Sequence, residues 1–497
     1  MSLPDYSDVQ GLAAYGYSKL TEACYLLLRI RNAEAARAWI ASAPVSTAEH
    51  RSPAPETALQ IAFTPAGLLA LGLPERMAAG FSAEFVDGMA GDANRSRRLG
   101  DLGQNDPTGW LWGGPGKIPD LALMLFARRN LEIWQETIRG PLWQDAFETA
   151  STLATSNLGG VEPFGFTDGI SQPDFDWKRE QAAAENTMVY GNKMALGELL
   201  LGYPNEYGKY TDRPLLETSD DMADDLLPAE DHTAKKDLGL NGTFVVLRQL
   251  EQDVRGFWQY LARASGSPED RARLGACMVG RTMEGDPLIP ASGEKIADTP
   301  GQPRNAFTYD HDPWGAQCPI GAHIRRANPR NTDLFGHPAD PVAKFLNMLG
   351  IPQPQLRDDL MASTRFHRVL RRGREYGPKL TPADALQPAP ADDPPRGLHF
   401  ACLGANIARQ FEFVQNAWLM STKFNGLTEE SDPLLGNRAA VGDCPHTGNF
   451  SIPRDGRVAR RLTGIPQFIT VRGGAYLFLP SLRALRYIAR AGKRSAP

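Results

Sequence analysis

The 497-residue sequence predicts an α+β protein made of two similar halves. Three observations carry that expectation. Strand-then-helix patterning occupies the first third of the chain, the same grammar returns after residue 243, and an acidic stretch lies between them. The repeat is one of element order, not of residue identity.

In the first half, Tyr25-Leu26-Leu27-Leu28-Arg29-Ile30-Arg31 is an apolar run passing into alternation, which reads as a half-buried strand. Glu34 to Ile40 is alanine-rich and helical. Leu59, Ile61 and Phe63 alternate with small or polar neighbours and give a second strand. Thr64-Pro65 then starts a helix, with a hydroxyl at the N-cap and proline at the first helical position. Leu68, Leu69 and Leu71 carry that helix to Gly72. A third strand, Leu121 to Ala127, precedes a helix with Leu131, Trp134 and Ile138 on one side.

In the second half, Thr243 to Leu250 is β-branched and apolar. Val254, Phe257, Trp258 and Leu261 follow at the spacing of an amphipathic helix. Leu398 to Leu403 reads as a strand, and Ile407, Phe411, Val414 and Trp418 form a helical stripe after it. Phe468 to Val471, Gly473-Gly474 and Ala475 to Leu479 read as a hairpin. Strand–helix–strand units with antiparallel hairpins, twice over, suit two ferredoxin-like domains, antiparallel sheets with helices on the outside. The expected boundaries are 1–216, a linker at 217–237, and 238–497. Asp220, Asp221, Asp224, Asp225, Glu230 and Asp231 crowd that linker, and such charge density predicts a solvated segment.

At this length a single compact core is not expected. The chain is 42% hydrophobic and carries a net charge of −5, so no basic excess asks for nucleic acid or an anionic membrane surface. No apolar window of about twenty residues is present to span a bilayer. Met1 to Lys19 is polar, with Asp5 and Asp8, and lacks the pattern of a secretory or twin-arginine signal. The expected location is cytoplasmic. Of the cysteines, Cys24, Cys277 and Cys402 sit in apolar settings and read as buried free thiols. Cys444-Pro445-His446 lacks a second ligand pair at metal spacing.

Two segments carry chemistry. Gly165-Phe166-Thr167-Asp168-Gly169 sets a carboxylate between glycines that permit positive φ and close approach to a flat ligand. The same pattern also suits a plain turn in which Asp168 accepts backbone N–H bonds. His323 is followed by Arg325, Arg326 and Arg330, with Asn328-Pro329 ending any helix. A neutral imidazole for an iron and cations for two propionates are what haem requires of a protein. His50, His232 and His337 lie among polar or loop residues, His367 precedes an arginine cluster, and His399 alternates within a strand. In that cluster Arg365, Arg368, Arg371, Arg372 and Arg374 interleave with Phe366, Val369 and Leu370, so at least one guanidinium is expected to pack inward against an anion or polar partner.

Together these segments resemble the dye-decolourising peroxidase (DyP-type) family of haem enzymes. The stretch Gly165 to Gly169, extended by Ile170-Ser171-Gln172-Pro173, is similar to its GxxDG signature. Cys318 to Arg330 resembles its proximal-histidine segment, and Leu370 to Gly377 its distal-arginine segment. Leu398-His399-Phe400, Gln410 to Trp418 and Asp432-Pro433-Leu434-Leu435-Gly436 look like further family elements.

The resemblance implies one haem b per chain, held in the C-terminal half, with His323 as proximal iron ligand. It implies Asp168 as distal acid–base and Arg371 as charge stabiliser, with the adjacent Arg372 as competitor for that role. Arg330 would meet a propionate, Leu398 and Phe400 would line the distal pocket, and Ile170 would lie near the porphyrin edge. An acidic partner for the proximal imidazole is implied, with Asp432 and Glu412 as candidates. The implied activity reduces hydrogen peroxide to water while oxidising two equivalents of a small organic one-electron donor, such as a dye or phenol. Surface tyrosine or tryptophan, Tyr376 or Trp418, would relay electrons from bulky donors. Neither nucleic acid nor membrane is an expected partner, and a homo-oligomer is compatible with the reading. The rival is a haem-binding or iron-handling protein with incidental peroxidase activity, which needs His323 but no distal acid–base. The basic tail Arg483 to Lys493 reads as a solvated helix end or a docking segment.

Overall fold

Ala23 to Leu28 are all buried, so the first strand, β1 (Glu22–Ile30), is covered on both faces and not half-buried as its sequence suggests. That is the position of an interior strand. In the computed structural model, which describes residues 3–180, 193–218, 223–289, 303–305, 307–309, 312–330, 364, 366–438, 447–454 and 456–492, β1 lies between two neighbours. Those neighbours are β3 (Leu121–Ala127) and β4 (Phe147–Ala154), and β2 (Thr57–Phe63) pairs with β3 outside them. All of these pairings are antiparallel. Helices Ala33–Ser42 and Leu131–Arg139 connect them, which gives the ferredoxin-like order β2-β3-β1-β4.

The second half repeats it. β5 (Thr243–Gln252) is followed by helices Val254–Ala264 and Pro268–Val279. The short strands β6 (Leu370–Arg371) and β7 (Arg374–Tyr376) both pair with β8 (Gly397–Gly404), which pairs with β5, and β9 (Ile469–Leu479) lies on the other side of β5. Phe478 of β9 stands opposite Phe63 of β2, so the two α+β units join into one nine-stranded sheet.

The expected hairpin at Gly473-Gly474 is instead a continuous strand with an irregular register between Val471 and Gly473. The glycines serve close approach, not reversal. A Cβ on Gly473 would sit 2.4 Å from the Trp112 indole, and one on Gly474 would sit 2.5 Å from the Met89 sulfur. The stripe Ile407, Phe411, Val414 and Trp418 also departs from expectation, because Ala408–Glu412 and Val414–Met420 are π-helical. The Glu412 N–H donates to the Ile407 carbonyl, five residues back, at 2.9 Å. Such wide turns are uncommon and cluster near functional sites.

One face of the sheet is covered by helices from both halves, including Trp39 and Ile40, Phe257 and Leu261, and Leu485 and Ile488. Val9, Leu12, Leu196, Leu199 and Leu200 cover the other. The segment 217–237 is not simply solvated. Leu215–Glu217 pairs antiparallel with Lys235–Asp237, and Ala223 and Leu226 are buried. Arg213 neutralises Asp231 and the buried Asp237 (Nε to Oδ2, 2.6 Å), which lets acidic residues pack. In helix Leu482–Arg490, Arg490 pairs with Asp225 at 2.8 Å, and Arg483 lies 3.4 Å from Asp5. The tail arginines that are described therefore serve the chain's own packing. Asp220, Asp221, His337, Arg365, Cys444, His446 and Lys493 lie outside the described residues. Cys24, Cys277, Cys318 and Cys402 are buried free thiols. Among the described residues no helix is long and apolar enough to cross a membrane.

Candidate active site

Alternation along a strand decides which side chains share a face. In the registers of β8 with β5 and β5 with β9, Leu398 faces Leu250, Phe400 faces Arg248, and Val471 also faces Leu250. These residues form one wall of a cavity of about 270 Å³ on the helix-covered side of the sheet. Asp168, Ile170, His323, Arg330, Arg371, Leu398 and Phe400 all line it. Residues singled out from segments up to 232 positions apart, Asp168 to Phe400, thus converge on a single space.

Asp168 is placed by its loop. Gly165 and Gly169 take positive φ, +103° and +79°, as the motif predicts. The Asp168 N–H donates to the Gly160 carbonyl at 3.0 Å, and Thr167 is anchored to the Met283 carbonyl by its N–H and its hydroxyl. Asp168 Oδ1 accepts from the Gly169 N–H and from Arg371 Nη1, both at 2.6 Å. The Asp168 side chain is 39% exposed, but it lines the cavity, so that exposure is toward the cavity. Burial alone would raise its pKa. The Arg371 charge, with help from the Gly169 N–H, outweighs it and holds the carboxyl below its usual value.

Arg371 and Arg372 are adjacent in the chain and point to opposite faces. Arg372 Nε donates to the Leu12 carbonyl at 3.0 Å and Nη2 to the Ala14 carbonyl at 3.3 Å, behind the sheet. Arg371 faces the cavity, and its Nη2 also reaches the Ser171 carbonyl at 3.3 Å.

His323 opens the short helix His323–Ala327. Its Nδ1 lies 2.9 Å from Asp432 Oδ2, and Asp432 Oδ1 accepts from the N–H groups of Leu434 and Leu435 at 2.9 and 2.8 Å. Asp432 is fully buried. Burial opposes its charge, yet the facing imidazole and these bonds keep the carboxyl ionised below its usual pKa, while Asp432 in turn raises that of His323. Glu412, the other candidate partner, instead accepts from Arg95 Nε at 3.0 Å and from the Tyr476 hydroxyl at 2.9 Å.

The arginine run after His323 divides. Arg325 and Arg326 are fully buried and do not line the cavity. Arg325 binds Asp312 and the Cys318 carbonyl, and Arg326 binds the carbonyls of Trp418, Ser421 and Glu430. They hold the helix that His323 opens in place. Arg330 does line the cavity, and its guanidinium donates to the carbonyl of Asn305 at 3.0 Å and of Phe307 at 2.8 Å.

Arg281 was not evident from the sequence. It follows Gly280, whose φ of +100° caps helix Pro268–Val279 and whose missing Cβ would meet Ile324 at 2.4 Å. That contact joins residues far apart in the chain, so no local sequence pattern records it. Arg281 Nη1 donates to the carbonyls of Gly285 and Arg304, both at 2.9 Å, and Nη2 has no hydrogen-bond partner among the described residues. Burial and the nearby Arg330 pull its pKa down to about 10. Such a guanidinium wants an anion.

His367 also lines the cavity, its ring stacked on Phe413 at 3.6 Å, and burial lowers its pKa to about 4. His399 points behind the sheet to the Ala154 carbonyl. Tyr376 and Trp418 are not surface residues, being 7% and 6% exposed.

No protein-family model matches the chain. The multifunctional dye peroxidase DyP2 of Amycolatopsis sp. is 32% identical over 355 residues, covering 68% of this chain and 63% of that protein. The chain thus matches a little under two thirds of that relative's length. The dye-decolorizing peroxidase AauDyP1 of Auricularia auricula-judae is 28% identical over 454 residues, 87% of this chain and 75% of that one. Among solved structures, AauDyP complexed with imidazole superposes with a TM-score of 0.70 at 25% identity, over 98% of this chain and 100% of that one. A structure concerned with engineering the heme pocket of a dye-decolorizing peroxidase also superposes with a TM-score of 0.70, at 24% identity. By its fold and its relatives, this chain belongs to the dye-decolourising peroxidase family.

Proposed function

We propose that the chain is a haem peroxidase that reduces hydrogen peroxide to water while oxidising two equivalents of a small organic one-electron donor, a dye or phenol. The observation that carries this reading is the meeting of His323, Asp168 and Arg371 on one cavity. One haem b per chain fits the donor set. With Nδ1 turned to Asp432, the imidazole keeps Nε2 for an iron. Leu250, Leu398, Phe400, Phe411 and Leu434 supply apolar walls for a flat ring. Arg281 Nη2, which has no hydrogen-bond partner among the described residues and lies near Arg330, suits a propionate.

Haem, when bound, would supply the iron at which peroxide is reduced and would hold the two oxidising equivalents taken from peroxide until two donor molecules each give up one electron. Asp432 fixes the ring orientation and tautomer of His323. Asp168, ionised at working pH, accepts the proton of the incoming peroxide and delivers it to the departing oxygen. Arg371 places fixed positive charge where negative charge grows on that oxygen. A haem carrier has no need of the Asp168–Arg371 pair, so this geometry favours the enzyme. Division of the chain into domains at 217–237 is part of the proposal, and limited proteolysis there tests it.

Purified protein reconstituted with haem should show a Soret band and oxidise an anthraquinone dye or a phenol when peroxide is added. Absence of haem uptake would end the reading.

A further inference from the structure

A second carboxylate belongs to the distal loop. Glu162 lines the same cavity as Asp168, six residues before it. Its Oε1 accepts from the Phe166 N–H at 3.0 Å. Its Oε2 accepts from the Phe164 N–H at 3.0 Å and from the Gln252 side-chain amide at 2.8 Å. The Glu162 main chain closes the same turn, with its N–H donating to the Phe166 carbonyl at 2.9 Å and its carbonyl accepting from Gly165 at 2.8 Å. One carboxylate therefore gathers the loop that presents Asp168 and ties it to strand β5.

Resting on the peroxidase reading, we propose that Glu162 is a positioning residue whose ionisation tightens the distal loop and strengthens Asp168 as a proton acceptor. Three N–H donors converge on Glu162, and a carboxylate holds such donors more strongly than a carboxylic acid does. Protonation would also place an O–H against donors that need an acceptor. Burial raises the pKa of Glu162 to about 7, against the lowering effect of the Phe166 and Phe164 N–H groups and Gln252. Its own loop contributes Asp168, whose charge raises it further. Strand β5 contributes the neutral Gln252. Helix Val254–Ala264 contributes Trp258, which donates to the Phe164 carbonyl at 3.0 Å, and the Phe257 ring, and neither is charged. Arg371 bonds Asp168 and not Glu162.

The coupling has a definite sign. As pH rises through the pKa of Glu162, its new negative charge makes Asp168 hold a proton more readily, and the loop is drawn toward β5. The peroxide step should gain speed above neutrality while persisting in acid on the ionised Asp168.

The test compares wild type, Glu162→Gln and Glu162→Ala as haem-loaded proteins. Stopped-flow rates of reaction with peroxide should rise about threefold between pH 5.5 and 8.5 in wild type and stay flat in Glu162→Gln. Infrared spectra of the same proteins should show a protonated-carboxyl band in wild type that disappears as pH passes 7, and Glu162→Gln should lack it. Glu162→Ala should lower the rate at every pH, because the N–H donors lose their acceptor. Should Glu162→Ala fail to fold, the glutamine variant still decides. An unchanged pH profile and an unchanged carboxyl band in Glu162→Gln would overturn the proposal. If Asp168→Asn also left the peroxide step untouched, the peroxidase reading itself would fall.

Discussion

Gln172 brackets the backbone of Arg371: its Oε1 accepts from the Arg371 N–H at 3.0 Å, and its Nε2 donates to the Arg371 carbonyl at 3.1 Å. The side-chain amide imitates a neighbouring strand. It fastens the loop carrying Asp168 to the short strand carrying the arginine. The Asp168–Arg371 contact is thus held by a second, uncharged pair four residues along the loop. A glutamine that satisfies both groups of one residue also prevents the exposed edge of β6 from leaving polar groups unpaired.

Replacing Gln172 with leucine should leave haem binding through His323 intact and slow the peroxide step roughly tenfold, because misplacement of a reacting group by a fraction of an ångström is costly. Soret absorbance and stopped-flow kinetics read the two effects separately. A rate equal to wild type would show that the clamp does not hold the distal pair.

His323→Ala should abolish the Soret band on reconstitution. Asp432→Asn should weaken haem retention and destabilise the fold, since it removes the charge from a fully buried carboxylate that faces His323. Breaking such a buried pair costs about 3 kcal/mol or more. Denaturant melts, with and without haem, would check both.

Asp168 has a depressed pKa, so it stays charged as pH falls until that lowered value is reached. Activity that depends on its ionised form is present above that point and lost below it. The acid limb of the peroxide step should therefore lie below the ordinary aspartate pKa of about 3.9. Arg371→Leu removes the main lowering influence and should shift that limb upward, as well as slowing the reaction by about a hundredfold or more. An acid limb near the pKa of histidine in wild type would assign the proton to another group.

Arg281→Met should leave the protein folded and loosen haem. The buried guanidinium has one nitrogen without a hydrogen-bond partner among the described residues, and methionine fills similar volume without charge. Haem transfer to an acceptor protein, followed by the decay of the Soret band, should run several-fold faster. An unchanged transfer rate would place the propionates elsewhere.

The proposed site residues were named through the resemblance of their segments to one family, and local backbone demands support two of those segments. Gly165 and Gly169 must take positive φ, and Asp168 stands beside them. Asn328-Pro329 stops the helix that His323 begins. Arg281 and Glu162 were given no role by that resemblance, although Gly280, beside Arg281, also takes positive φ. Their significance comes from a guanidinium nitrogen with no hydrogen-bond partner among the described residues and from three converging N–H groups, neither of which a linear pattern records. The Gly473-Gly474 pair was misread for a related reason: glycine allows both a turn and a tight approach, and only the indole of Trp112 shows which one applies.

The family resemblance of their segments singled out the aspartate, histidine and arginines proposed for the chemistry, while the sequence by itself determined the α+β class and the repeated element order. That class and order rest on periodicity and short-range backbone geometry, which act within a few residues. Tertiary structure decided that Arg371 and not Arg372 enters the cavity, because strand alternation sends neighbours to opposite faces and only the assembled sheet shows which face is hollow. It also chose Asp432 over Glu412 as partner of His323, a contact between residues 109 positions apart. Hydrogen bonds of that separation depend on how the whole chain packs.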